Sequence, residues 1–284
     1  MTLMPCLASM QGRLVPPEGG RFQSFPRERW RDEFALAAKA GLNAIEWIFD
    51  VYGEDVNPLA NDLGVDEIHA LSRRTGIAVR SLCADYFMDR PFLRTTQAER
   101  DERIKKMDWL LSRCSIVGIG RVVIPFVDKS RIESEEEKLQ TLSILRMLLP
   151  SAEKYNVEFH LETSLAPQSF AELLEQCPHP LLRVNYDSGN SCSLGYRVNE
   201  EFAAYGHRIG SVHIKDRRLG GGTVPLGTGN ANLPAVFQGL AALSYRGDYV
   251  LQIARSEPGQ ELPWIAQNRA RVASQIEAAM GVTH

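Results

Sequence analysis

One phrase recurs along this 284-residue chain: an amphipathic helical stretch closes at Gly, and a short apolar strand follows at once. It reads Gly41-Leu-Asn-Ala-Ile-Glu46, Gly76-Ile-Ala-Val-Arg-Ser81 and Gly118-Ile-Gly-Arg-Val-Val-Ile124. Asn156-Val-Glu-Phe-His-Leu-Glu162 repeats it with Asn in place of Gly. Gly and Asn accept the left-handed backbone that closes a helix, so the phrase has a mechanical cause. The units begin 35, 42 and 38 residues apart, room for one strand, one helix and two loops. Strands are expected at about 4–10, 43–49, 77–84, 121–127, 157–162, 182–187, 210–215 and 248–253, each followed by a helix, the last over 262–280. Eight alternations predict an α/β fold, a (β/α)8 TIM barrel, as one domain over residues 1–284. A doubly wound open sheet would need a glycine-rich dinucleotide turn after the first strand, and Gln11-Gly-Arg-Leu-Val-Pro-Pro17 is not one.

The helices carry their own signals. Pro26 is expected to open the first, with Trp30, Phe34 and Ala37 on its apolar face. Thr96-x-x-Glu99 is a capping box, followed by the stripe Ile104, Met107, Leu111 and Cys114. Glu135-Glu136-Glu137 fits the first turn of the next helix, where the helix dipole favours negative charge. Pro150 is expected to kink or end that helix, and the Leu139–Leu149 stripe, Met147 included, is expected in the core.

With 32 Lys and Arg against 35 Asp and Glu, the chain carries a formal charge of −3, which argues against a nucleic-acid partner. Five widely spaced Cys without a C-x-x-C pair read as reduced thiols. No run approaches the length of a membrane span, and Leu3–Met10 reads as a first strand and not a signal peptide. A soluble cytoplasmic protein with a small-molecule partner is expected. Homo-oligomers are common among such barrels, but no interface signature is legible.

In a barrel, alternate strand residues point inward and chemistry gathers at the C-terminal strand ends. The inward parity collects Ser9, Gln11, Glu46, Asp50, Cys83, Asp85, Glu158, His160, Glu162, Asn185, Asp187, His213, Lys215 and Gln252. Their neighbours Phe159, Leu161, Val212, Ile214, Leu251 and Ile253 are apolar and should face the helices. Ionisable groups gathered inside a barrel must pair with one another or bind a cation. Glu162, Asp187 and His213 offer two hard oxygens and an imidazole, and Gln252 adds a neutral amide oxygen. Either an ion-pair network or a metal centre satisfies such a set.

At these residues the chain resembles the xylose-isomerase-like TIM-barrel superfamily, the sugar phosphate isomerase/epimerase group that also contains endonuclease IV. The resemblance rests on Ile45-Glu46-Trp47, His160-Leu161-Glu162, Asp187-Ser188-Gly189-Asn190, His213-Ile214-Lys215-Asp216 and Val224-Pro-Leu-Gly-Thr-Gly229, which run in family order. Asp-x-Gly-Asn is similar to the hexulose-phosphate 3-epimerase branch. The resemblance implies one divalent metal ion, Mn²⁺ first and Co²⁺, Zn²⁺ or Mg²⁺ as others, on Glu162, Asp187, His213 and Gln252. It implies a sugar or sugar phosphate isomerase or epimerase in which Glu162 is the catalytic base. Gln252 stands where the family carries a Glu that is also the second base, and an amide cannot take a proton at neutral pH.

Substrate contacts are expected at Glu46, Asp85, His160, Asn190, Lys215, Arg218 and Arg255. For Glu46 a buried salt bridge is the competing reading, and for His160 a hydrogen-bonded core histidine. Arg217, Arg218 and Gly220–Gly222 suit either a phosphate or a solvated loop, and Arg255 is a second phosphate candidate. With Gln at 252, the protein should either favour a one-base isomerisation or recruit another acid, for which Glu46 and His160 are nearest by strand parity. The rival functions are an endonuclease-IV-like metal-dependent phosphodiesterase and a non-catalytic sugar-binding barrel that lost its second base.

Overall fold

Burying strands on both faces without leaving an open edge requires the sheet to close on itself, and the computed structural model, which describes residues 6–281, shows that closure. The strands are β1 (Cys6–Met10), β2 (Ala44–Ile48), β3 (Ala78–Cys83), β4 (Arg121–Phe126), β5 (Glu158–Thr163), β6 (Leu182–Asp187) and β7 (Ile209–Ile214). A small antiparallel hairpin, β8 (Asp216–Arg217) and β9 (Thr223–Val224), stands on the mouth, and β10 (Asp248–Leu251) closes the ring against β1 and β7. All ring pairings are parallel. The chain therefore forms the expected eight-stranded barrel. Residues 4 and 5 of the expected first strand lie outside the described residues.

The helices are α1 (Asp32–Lys39), α2 (Asp62–Thr75), α3 (Tyr86–Asp89), α4 (Gln97–Val117), α5 (Glu135–Tyr155), α6 (Pro167–Glu175), α7 (Ser188–Ser193), α8 (Val198–Tyr205), α9 (Leu233–Ala242) and α10 (Glu261–Ala279). The recurring phrase marks four helix ends: Gly41, Gly76, Gly118 and Asn156 have φ of 74°, 74°, 89° and 53°. The Thr96–Glu99 capping box is formed, and Ser134 caps α5 through the Glu137 amide. None of the helices among the described residues is long and apolar enough to cross a membrane.

Three local expectations are corrected. The helix α1 begins at Asp32, because Pro26–Arg31 is spent in turns such as Asp32 N to Arg29 O. The α5 helix runs through Pro150 to Tyr155. Pro150 faces solvent, where water can serve the carbonyl it leaves unpaired, while Leu145, Leu148, Leu149 and Ala152 continue the buried stripe past it. Leu139 and Met147 sit on the outer face of the same helix, 61% and 47% exposed.

Strand parity positions the site. Trp47, Phe159, Leu161, Val212 and Ile214 are fully buried in the hydrophobic core, while Glu46, His160, Glu162, Asn185, Ser211 and His213 supply the polar interior. Trp47 packs against Phe25, Trp30 and Phe34 with ring centroids 5.6–6.4 Å apart, and its indole N–H donates to Asn57. Trp47→Ala should therefore cost about 3–5 kcal/mol in denaturant unfolding. A cost within about 0.5 kcal/mol would place Trp47 on the surface and reverse the parity of β2.

Candidate functional site

Glu162, Asp187 and His213 come from the C-terminal ends of three adjacent strands, β5, β6 and β7, and Asp187 pairs directly with His213 across the β6–β7 ladder. One ligating atom from each lies within 4.8 Å of the others, and all three residues are buried. The amide nitrogens of Gly189 and Asn190 donate to Asp187 Oδ1 at 2.8 Å, which caps α7 and leaves Oδ2 for the mouth. A Cβ on Gly189 would stand 2.6 Å from Lys215 Cγ, so the glycine lets the lysine pass. Lys215 Nζ then donates to Asp187 Oδ2 at 3.3 Å and to Gln252 Oε1 at 3.2 Å.

The imidazole is held from both sides. His213 Nε2 meets Glu46 Oε1 at 2.6 Å, and Nδ1 faces Glu162 Oε2 at 3.2 Å and Asp187 Oδ2 at 4.0 Å. With Nε2–H committed to Glu46, Nδ1 carries either a proton shared with Glu162 or a lone pair open to a cation. Asn185 and Asn190 each donate an amide hydrogen to Glu162, at 2.8 and 2.5 Å.

Burial pushes the Glu46 and Glu162 carboxyls up, but His213, joined by Ser81 and Arg121 at Glu46 and by Lys215 and Asn185 at Glu162, leaves both below the usual range. At Asp187 burial wins over Lys215, and the carboxyl lies above its usual range. Burial alone would lower His213, yet Glu46 and Glu162 raise it to about 10. Three carboxylates against Lys215 leave two formal negative charges, which one divalent cation would neutralise with His213 uncharged. The donor set of two carboxylates and an imidazole lone pair fits such an ion.

Above these groups opens a cleft of about 370 Å³ whose lining includes Asp85, Glu162, Asn190, Lys215, Arg217 and Gln252. Four expected contacts sit elsewhere. Glu46 is fully buried behind His213, so it orients the imidazole and does not reach the cleft. His160 lies one layer below, bonded to Ser211 and Glu158 at 2.7 Å. Arg255 donates to the carbonyls of Gly12, Val15 and Phe22, which staples the loop after β1. Arg218 is exposed on the hairpin, and its neighbour Arg217 turns into the cleft instead, donating to Asn190 Oδ1 at 2.8 Å. The Gly-rich loop is organised by Asp216, whose carboxylate accepts the amides of Gly227, Gly229 and Ala231.

Sequence reasoning missed Gln23, which joins Asp85 and Gln252 and lines the cleft. It lies in a loop with no periodicity to mark its direction.

The family model described as xylose isomerase-like TIM barrel matches residues 34–275, and the chain belongs to this family. SgbU of Escherichia coli (strain K12), provisionally named an L-ribulose-5-phosphate 3-epimerase, is 21% identical over 266 residues, covering 88% of this chain and 92% of that protein. Among solved structures, L-ribulose 3-epimerase superposes with a TM-score of 0.75 at 15% identity, covering 97% of this chain and 96% of that one. The IOLI protein, solved with a bound zinc atom, gives 0.73 at 19%, covering 97% and 98%. At these identities the structural likeness is one of fold.

Because His213 holds a proton up to about pH 10 without a cation, an ion taking Nδ1 must displace it. A His raised above its ordinary 6.5 contributes stability that is fully present below pH 6.5 and is lost as pH rises through 10. Mn²⁺ binding should therefore release about one proton at pH 7.5, and its apparent affinity should rise about tenfold per pH unit between 7 and 9. Calorimetry in buffers of different ionisation enthalpy reads this directly. Binding without proton release would remove Nδ1 from the ligand set. Glu46→Gln should weaken Mn²⁺ binding by about 10–100-fold while the barrel stays folded.

Proposed function

We propose that the protein is an isomerase or epimerase acting on a small sugar or sugar phosphate, with Glu162 as the proton-transfer base. Glu162 carries the reading. It faces the cleft, belongs to the ligating triad, and has each carboxyl oxygen held by a separate amide donor, which keeps the ionised base aimed and ready. The names of the epimerase relatives support the same substrate class. The cleft volume lies at the small end of the roughly 300–1,000 Å³ common for ligand pockets, which suits a single sugar.

When bound at Glu162, Asp187 and His213, a divalent cation, Mn²⁺ by preference, supplies Lewis acidity toward the sugar's carbonyl and neighbouring hydroxyl oxygens. Gln252, expected as a fourth ligand, has its amide oxygen engaged by Lys215 Nζ at 3.2 Å. The chain's own groups do the rest. Glu162 takes the proton from the carbon beside the carbonyl. Asn185 and Asn190 hold it in line, and Arg217, at the cleft lining, offers donors to substrate oxygens or a phosphate, while Lys215 holds Asp187, Asn190 and Gln252 in place. Glu46 keeps His213 in one tautomer.

The phosphodiesterase reading finds less support. His69 bonds the Val117 carbonyl and His179 bonds Glu153, so neither joins the mouth. His284 lies outside the described residues. One His/Asp/Glu ligand cluster is found among the described residues, where several additional imidazoles would be needed. A sugar-binding barrel without catalysis is distinguished by proton exchange. The Mn²⁺-loaded wild type should exchange solvent deuterium into the carbon beside the carbonyl of a ketose or ketose phosphate. Glu162→Gln should lower that rate by about 10²–10⁴-fold. Tight sugar binding without exchange by wild type would favour the non-catalytic barrel.

A further inference from the structure

Inverting a carbinol centre removes a proton from one face of a carbon and returns one to the other, so it asks for two proton carriers on different walls. Glu162 is one. The other ionisable side chains lining the cleft are Cys83, Asp85, Asp128, Lys215 and Arg217. Cys83 is buried and keeps its thiol proton, and a guanidinium such as Arg217 does not deprotonate. Lys215 is committed to Asp187, Asn190 and Gln252. Asp128 sits exposed on the rim. Glu46 and His160 are sealed beneath the cleft. Asp85 remains, buried to 6% exposure at the end of β3 and open to the cleft.

Its surroundings fix its direction. Arg13 Nη2 donates to Gln23 Oε1 at 3.0 Å. A guanidinium only donates, so the Gln23 oxygen must face it and Gln23 Nε2 must face Asp85 Oδ2, at 2.8 Å. Cys83 Sγ donates to Asp85 Oδ1 at 3.1 Å. A carboxylate has about four lone-pair sites, so both oxygens keep capacity toward the cleft. The same logic specifies position 252. Gln252 Nε2 donates to Gln23 Oε1 at 3.0 Å, while its Oε1 accepts from Lys215. An ionised Glu there would set oxygen against oxygen. In the ring order β5 stands opposite β1, and the segment carrying Gln23 follows β1. The chain Gln252–Gln23–Asp85 thus runs from the end of β10 past β1 to the end of β3, on walls other than the one that carries Glu162.

We propose that Asp85 is the second proton carrier of this cleft, standing at the end of β3, two strands round the ring from Glu162 on β5, and aimed by Gln23, while Gln252 is a fixed amide. The proposal rests on the isomerase or epimerase reading above. Glu162 as carboxylate takes the proton and leaves the C–H electron pair in the enediolate of the sugar. Asp85 as carboxylic acid gives its proton to the opposite face of the same carbon and keeps the O–H pair. One C–H bond breaks and one forms. Glu162 ends protonated and Asp85 ionised, and proton exchange with water restores both. Burial pushes the Asp85 carboxyl up to about 6, with Asp50 and Glu162 adding to the rise and Gln23 and Cys83 opposing it; Arg13 is the cation facing it. Both protonation states are therefore accessible near neutrality.

The test uses full-length Mn²⁺-loaded protein in D2O with L-ribulose 5-phosphate and D-fructose as probes, reading deuterium uptake and inversion separately. Wild type should show both, and Glu162→Gln neither. Asp85→Asn should keep deuterium uptake with retained configuration, while inversion falls on the order of 100-fold or more. Inversion at the wild-type rate in Asp85→Asn would overturn the assignment. So would equal loss of uptake and inversion in a folded, Mn²⁺-bound variant, or a wild type that exchanges without inverting. A wild type that exchanges neither probe would refute the underlying functional reading, and this assignment with it. If Asp85→Asn does not fold, Gln23→Leu serves. Losing that donor to the ionised carboxyl should move the alkaline limb of inversion to higher pH, and an unmoved limb would overturn the role.

Discussion

His213 donates Nε2–H to Glu46 Oε1 at 2.6 Å in a space that excludes water, joining β7 to β2 across the barrel interior. Neither partner is exposed, so the pair holds only while each has the other; removing one would strand a buried charge. The bond fixes which face of the imidazole looks up. Nδ1 is left among Glu162, Asp187 and Asn185, and that placement gathers two acidic side chains and an imidazole into one cluster that could hold a metal ion. Without Glu46 the ring would be free to turn, and the carboxylates above it would lose their shared partner.

The remaining polar groups follow from the charge this arrangement creates. Asp187 spends one oxygen on the first amides of α7 and the other on Lys215, so strand end, helix start and cation are coupled through one carboxylate. Lys215 fits only because residue 189 has no side chain. On the opposite wall the loop after β1 is tied down by Arg255 and Arg13, and its Gln23 joins Gln252 to Asp85. A rigid ring of strands therefore holds the Glu162, Asp187 and His213 cluster, while a stapled loop shapes another wall of the cleft.

The barrel was legible because helix closure at Gly or Asn and the two-residue strand alternation are local properties. The same alternation pointed Glu162, Asp187, His213 and Gln252 inward, since parity alone decides which face a strand residue takes. It could not say at what depth a side chain sits, and so it offered Glu46 and His160 to the substrate when both serve neighbours beneath the cleft. Arg255 misled for a related reason: a cation beside the mouth looks the same in sequence whether it meets a phosphate or three carbonyls. Gln23 had no signal, because its role depends on Arg13, Asp85 and Gln252 meeting in space. At Pro150 the local rule was overridden by an apolar stripe that continues beneath a solvent-facing ring.

The proposed chemistry centres on one ion seated by Nδ1 of an imidazole that Glu46 has turned. Anomalous scattering at the manganese edge from crystals of the Mn²⁺-loaded protein locates that ion directly. A single peak bounded by Glu162, Asp187 and His213 Nδ1 is expected, with Nε2 still bonded to Glu46. A peak at another set of residues, or an imidazole that has left Glu46 to bind the ion through Nε2, would contradict that chemistry.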